Sequence, residues 1–201
     1  MRRIFPLLGV SLSVAILIVA AGHYPGGYDW FHQSVSSLFQ PATPDGEAND
    51  ARRLACLGII GFCMSMGIVF ATVAKRGPTR FHRKTVQVAG IGSMVYAALT
   101  VTPMHDVLVG AALLFFLTAV LTIVHGLYLN RRFGMLGLGI ASLALVLGNA
   151  AMYYGEWLYG FLPVVQKASL GMWVVWLFAL YFSNSTTTQH LRADSSNEIK
   201  P

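Results

Sequence analysis

Charged side chains are scarce in this chain: only 11% of its 201 residues are Asp, Glu, Lys or Arg, while 55% are hydrophobic. Soluble domains carry roughly a quarter of their residues as charges, so a water-soluble globule of this size could not be covered. One compact membrane domain is the natural reading. Acids are scarcer than bases, and none falls within a long apolar run. That absence argues against a proton pump or ion-coupled carrier, whose carboxylates sit at mid-membrane. Cysteine is limited to Cys56 and Cys63. Seven residues separate them, about 10 Å along a helix axis, too far for a disulfide, so cysteine usage says nothing of the redox compartment. A His-Glu-x-x-His zinc motif, a Gly-x-Ser-x-Gly elbow and a phosphate-binding glycine loop are all missing. No internal repeat supports an inverted-repeat transporter.

What the chain does have is apolar length. Six stretches, Ile4 to Gly22, Leu54 to Ala74, Thr85 to Thr102, Val107 to Leu129, Met135 to Tyr154 and Val164 to Phe182, approach the ~20 residues needed to cross hydrocarbon. The expected fold class is all-α, a polytopic transmembrane bundle of six helices spanning residues 1–182. Arg2 and Arg3 before an apolar run ending Val19-Ala20-Ala21-Gly22 also fit a secretory signal; the length of the run favours an uncleaved helix. The tail, residues 183–201, with its Thr-Thr-Thr and Ser-Ser runs, reads as polar, disordered and cytoplasmic.

Basic residues set the expected orientation, because Lys and Arg in short loops stay on the cytoplasmic side. With both termini inside, eleven of them, including Lys75, Arg76, Arg80, Arg83, Lys84, Arg131 and Arg132, face the cytoplasm and three, Arg52, Arg53 and Lys167, face outward. Asp29, Asp45, Glu47, Asp50, Asp106 and Glu156 then gather on the outer side, leaving Asp194 and Glu198 in the tail. This places the protein in a plasma membrane, such as a bacterial inner membrane. The net charge of +6 does not point to nucleic acid, since the bases punctuate apolar runs and do not form a polar face. His82 and its basic neighbours are expected at anionic lipid headgroups.

Small residues at helix-packing spacing, Gly61 with Ser65, Gly67 with Ala71 and Gly137 with Ala141, suit close helix contact and homo-oligomer formation. Trp157, Tyr159, Trp173, Tyr153 and Tyr154 suit an interfacial aromatic belt. Ser93, Tyr96 and Thr100, then Thr118, Thr122 and His125, and also Asn149, suit hydrogen bonds between helices.

The first outer loop, residues 23–53, carries the most suggestive chemistry. Pro25, Gly26 and Gly27 turn the chain, and Asp29 is a good N-cap for a short interfacial helix. On a helical period Phe31, Val35, Leu38 and Phe39 share one face, and Asp29, His32, Gln33 and Ser36 the other. With His23, His105, Asp106 and Glu156, this polar face assembles histidines and carboxylates at one depth. Such donors suit a catalytic zinc held by some of His23, His32, His105, Asp29 and Asp106, whose bound water could attack a lipid ester or amide. Ser36 with His32 as base is a second chemistry, and Asp29 stands beside them as a catalytic candidate. Tyr28, Gln33, Ser36 and Glu156 are candidate ligand contacts. Plainer roles fit as well: Asp106 as an N-cap, Glu156 as partner of Lys167.

The run Tyr24-Pro25-Gly26-Gly27-Tyr28 followed by Gln33-Ser34-Val35-Ser36-Ser37-Leu38 resembles the Pro-Gly-Tyr and Gln-x-(Ile/Val)-Ser-x-Leu signature of a bacterial six-helix membrane family, the domain of unknown function nine-nine-eight. That family is distantly related to the Frag/DRAM/Sfk group. The resemblance implies a membrane-embedded fold and, through the group's association with lipid remodelling and trafficking, a lipid ligand; it supplies no reaction. The extra glycine and the Trp30-Phe31-His32 segment depart from the signature. The leading expectation is therefore a membrane protein that binds or organises a lipid or small apolar ligand at its outer face, ahead of a metal-dependent lipid hydrolase and of a transporter.

Overall fold

The computed structural model describes residues 4–155 and 157–183. Six long helices follow one another: α1 (Phe5–Gly22), α2 (Arg52–Ala74), α3 (Arg80–Leu99), α4 (His105–Leu129), α5 (Phe133–Gly155) and α6 (Leu162–Phe182). Two short 3-10 helices, Val35–Phe39 and Tyr159–Phe161, lie in the connections. Among the described residues there is no strand, only one isolated bridge between Ala42 and Ala48. Among the described residues five helices are long and apolar enough to cross a membrane; α3 is the exception. Many large apolar side chains point outward, among them Leu8, Leu12, Met64, Leu114, Leu121 and Val175. Water would penalise so much contiguous apolar surface, whereas lipid would not.

Helix α3 begins five residues before the expected start at Thr85. The Thr79 side chain caps it by accepting from the His82 N–H, so Arg80, Arg83 and Lys84 belong to its first turns and lower its hydropathy. The chain alternates between two rims. One carries the first loop and the α3–α4 and α5–α6 connections; the other, called here the basic end, carries the α2–α3 and α4–α5 connections.

Close packing explains the helix order. A Cβ on Gly61 would stand 2.8 Å from Ser13 Oγ and one on Gly58 2.9 Å from Leu17 Cγ, so α1 lies flush on α2. Gly139 receives the Trp176 ring, where a Cβ would sit 2.7 Å from a ring carbon, and the indole N–H donates to Met135 O at 2.9 Å. Of the three small-residue pairs expected to mediate contact, Gly61 with Ser65 does so within the chain. Gly67 and Gly137 have nothing within 4 Å of an added Cβ. The central core of Met66, Val69, Phe70, Val120, Trp176 and Leu177 is almost fully buried.

The basic end is closed by polar contacts inside the chain. Arg76 donates to the backbone carbonyls of Leu180 and Ser183, and to Tyr181 O at 2.9 Å. Leu180 and Tyr181 lie in the last turn of α6 and Ser183 is its C-cap, where a cation suits the helix dipole. His82 is buried, contrary to its expected place among headgroups. Its Nδ1 lies 2.7 Å from Thr79 Oγ1 and its Nε2 3.0 Å from His125 Nδ1, with the two rings stacked. Burial of His82 follows from its position one turn into α3, facing Gly126 of α4, where the missing side chain leaves room. Thr118 and Thr122 bond to carbonyls of their own helix rather than across helices.

Candidate ligand-binding site

The first loop is ordered by its own polar groups. Asp29 Oδ1 accepts from the N–H groups of Phe31 and His32, and Gln33 Oε1 accepts from the Asp29 N–H. These are the expected cap contacts, but they close a single turn over residues 30–32 and no helix follows it. Tyr28 Oη donates to the carbonyls of Gln33 and Ser34 at 3.0 and 2.9 Å, and Lys167 Nζ donates to Gln33 O at 2.6 Å. Carbonyls held this way are drawn out of a helical ladder, Ser34 turns extended, and a 3-10 turn over Val35–Phe39 replaces the interfacial helix that was expected. Burial pushes the Tyr28 hydroxyl up to about 12, so it remains a donor. Asn49 fastens the far side, its Nδ2 donating to Leu38 O and Gln40 O. Arg52 joins the loop to the α3–α4 connection by donating to Phe39 O and Val101 O.

Beneath this loop lies a partly open cavity of about 570 Å³ among α2 to α6, within the size range of small-molecule sites, roughly 300–1,000 Å³. Its rim carries His32, Ser34, Ser36 and Ser37 from the loop, His105 and Asp106 from α4, Tyr153 from α5 and Gln166 from α6. Its depth is apolar: Met94, Leu113, Phe116, Val146, Leu170 and Trp173, interrupted by Ser93, Asn149 and Ser169. Phe116 and Trp173 are eleven residues from the loop-end starts of α4 and α6, so the cavity reaches about 16 Å into the bundle. There Phe116 and Trp173 form its floor, backed by Phe62 and Phe70, the four rings in edge-to-face contact at centroid distances of 5.1 to 6.2 Å. Trp173 is thus a core residue and not part of an interfacial belt; Tyr154 and Trp157 are exposed, as the belt requires.

The rim's polar groups are mostly engaged. Gln166 Oε1 accepts from the Val35 N–H at 2.9 Å, tying the loop to α6. Asp106 Oδ1 accepts from Tyr153 Oη and from the His105 ring, both at 2.9 Å. His32 Nδ1 donates to Asp29 Oδ2 at 2.8 Å, since a carboxylate can only accept. That bond, aided by the Phe31 N–H, holds the Asp29 carboxyl below the usual carboxylate range. Among the described residues two buried side-chain oxygens have no partner, Asn149 Oδ1 in the cavity wall and Tyr24 Oη behind the loop.

Of the residues expected at a site, His32, Ser36, His105 and Asp106 share this cavity. Asp29 reaches it only through His32. Tyr28 and Gln33 build the loop from behind. His23 turns back to Val19 O at 2.9 Å. Glu156 lies outside the described residues. The histidines and acids form two separate pairs, and among the described residues no three His, Cys, Asp or Glu side chains form a group that could hold a metal. Ser36 Oγ lies 2.8 Å from Ser34 Oγ, while the His32 Nδ1 faces Asp29. Sequence reasoning missed the cavity walls, Asn149 above all, because an amide within an apolar helix looks the same whether it bonds a neighbouring helix or faces a void.

Fold and site together define an all-helical protein with five span-length helices and an amphipathic cavity opening at one rim. No family model, curated protein or solved structure matches the chain.

Proposed function

We propose that this chain is an integral membrane protein that receives a lipid-type amphiphile in the cavity beneath its first loop, with its apolar part toward Trp173 and its head at the polar rim. The observation that carries this reading is the division of one cavity into an apolar depth and a polar mouth. An apolar chain leaving water for that depth gains about 25 cal/mol for each Å² buried. We further propose that α3 also spans the bilayer, that both termini are cytoplasmic and that the loop rim faces outward. The distribution of basic residues supports that orientation, as does the resemblance of the first loop to the six-helix family. A reporter fused after Gly46 is then active outside and one after Pro78 inside; the reverse would put the cavity mouth in the cytoplasm.

The test is lipid analysis of purified protein. The wild type should retain about one amphiphile per chain, and Ala112→Trp, which fills the cavity, should lose most of it. Leu121→Trp, placed on an outward-facing position of the same helix, controls for loosely attached bilayer lipid. Equal retention in both variants would exclude the cavity as the binding place.

A further inference from the structure

A second recess faces outward, on the seam between α3 and α4 at the basic end. It has a volume of about 570 Å³ and is walled by Phe81, Lys84, Val88 and Ala89 of α3 and by Leu114 and Phe115 of α4. The α3 residues recur at helical spacing and so form one face of that helix. Small side chains hollow the seam: Ala89 is buried, and the Thr118 hydroxyl turns back to Leu114 O at 2.8 Å. At the deep end the Phe115 ring lies across Gly92, where an added Cβ would stand 2.8 Å from it, and against Tyr96. From Phe81 to Gly92 is eleven residues, about 16 Å along the axis. That is close to half of the ~30 Å hydrocarbon core, the depth reached by an acyl chain of one leaflet.

Among the described residues Lys84 is the only charge in this lining. It is exposed, as are Arg80 and Arg83 beside it. The described acids, Asp29, Asp45, Glu47, Asp50 and Asp106, all belong to the loop end, and the ion pairs among the described residues are those of His32 and His105. The Lys84 stem can lie along the groove while its ammonium reaches headgroup level. Resting on the reading that α3 lies in the bilayer, we infer that the groove holds one acyl chain of an anionic phospholipid, with the lipid's phosphate at Lys84. A zwitterionic head would bring its own cation toward Lys84, Arg80 and Arg83. A second copy of this chain is a poorer occupant. Two copies related by a two-fold axis along the membrane normal would bring both basic ends, and both sets of these three cations, together at the seam.

Three lipids with the same photoreactive acyl chain, phosphatidylglycerol, phosphatidylcholine and diacylglycerol, test this when each is added at one mole fraction to full-length protein in phosphatidylcholine nanodiscs. Phosphatidylglycerol should label peptides containing Val88 and Leu114 about fivefold above each of the others, the scale of one basic residue near a membrane surface. Lys84→Gln should bring it down to the phosphatidylcholine level, and Lys84→Arg should retain the preference. Lys75→Gln, which removes an exposed cation of the same end outside the groove, should leave it unchanged. Equal labelling by phosphatidylglycerol and phosphatidylcholine, or a preference that survives Lys84→Gln, would overturn the assignment. Reporters fused after Pro78 and after Pro103 check the crossing of α3 separately. If they lie on opposite sides and no probe labels the groove, the lipid site alone falls; if they lie on one side, α3 does not cross and both readings fall.

Discussion

At the basic end of the bundle two inward-facing polar groups find partners inside the chain: Arg76 on the last carbonyls of α6, His82 between Thr79 and His125. At the loop end the same kinds of group are arranged around a void, and two buried oxygens, Tyr24 Oη and Asn149 Oδ1, are left without one. Both ends are built from helices of similar length and hydropathy, so the contrast lies in side chains and not in the scaffold. Satisfied polar groups rigidify a helix end. We therefore read the basic end as the clamp that keeps six helices together and the loop end as the part that works.

The sharpest way to break this contrast is to open the clamp. Arg76→Ala removes charge-assisted hydrogen bonds to several α6 carbonyls and leaves those carbonyls exposed or unpaired. Hydrogen bonds to charged groups contribute about 1.5–3 kcal/mol each, and the loss is shared among bonds of one side chain. A destabilisation of about 2–4 kcal/mol, read as a lower thermal midpoint in detergent, is expected. Arg76→Lys should recover only part of it, because an ammonium cannot reproduce the planar fork. If Arg76→Ala unfolds like the wild type, the basic end is not a clamp.

The loop end should answer with the opposite sign. In the ligand-free protein, Asn149→Leu replaces an unpaired buried acceptor by apolar atoms of similar size, which is neutral or stabilising by up to about 1 kcal/mol. A residue held for packing would lose stability on such a change; a residue held for a ligand should gain stability while binding falls. Loss of more than about 1 kcal/mol would mean that Asn149 has an internal partner and that the two ends do not differ in kind.

How much of this could be read in the residues follows the same divide. Apolar runs of about twenty residues set the six helices to within a few positions, because lipid demands length and little else. The exception, α3, starts early since a Thr79 cap and neighbouring contacts outweigh the low hydropathy of Arg80 to Lys84. The loop end was legible as a cluster: His32, Ser36, His105 and Asp106 do meet at one cavity. Their pairing was not, because it depends on which carbonyls Tyr28 and Lys167 capture, and those partners are distant in the chain. Arg76 and His82 looked like headgroup contacts from their basic neighbours. Only the location of α6's last turn and of Gly126 shows that they face inward.

The smallest expected effect concerns the hinge of the loop itself. Asp29 is half exposed, yet its carboxyl titrates below the ordinary range, first because His32 donates to it and then because the Phe31 N–H does. A carboxylate whose folded pKa is depressed contributes stability above its unfolded pKa, about 3.9. That contribution fades as the pH falls toward the folded pKa and is gone below it. The cap over Phe31 and His32 should accordingly persist through the neutral range and loosen only in acid, on the low side of an ordinary aspartate. The Phe31 amide proton, which points at Asp29 Oδ1 across 2.8 Å, reports this directly: its chemical shift should move with a midpoint under about 3.9 and stay flat in Asp29→Asn. A midpoint at or above that value would show the His32 contact too weak to order the rim, and the loop would then be held over the cavity by Tyr28, Lys167, Gln166, Asn49 and Arg52 without it.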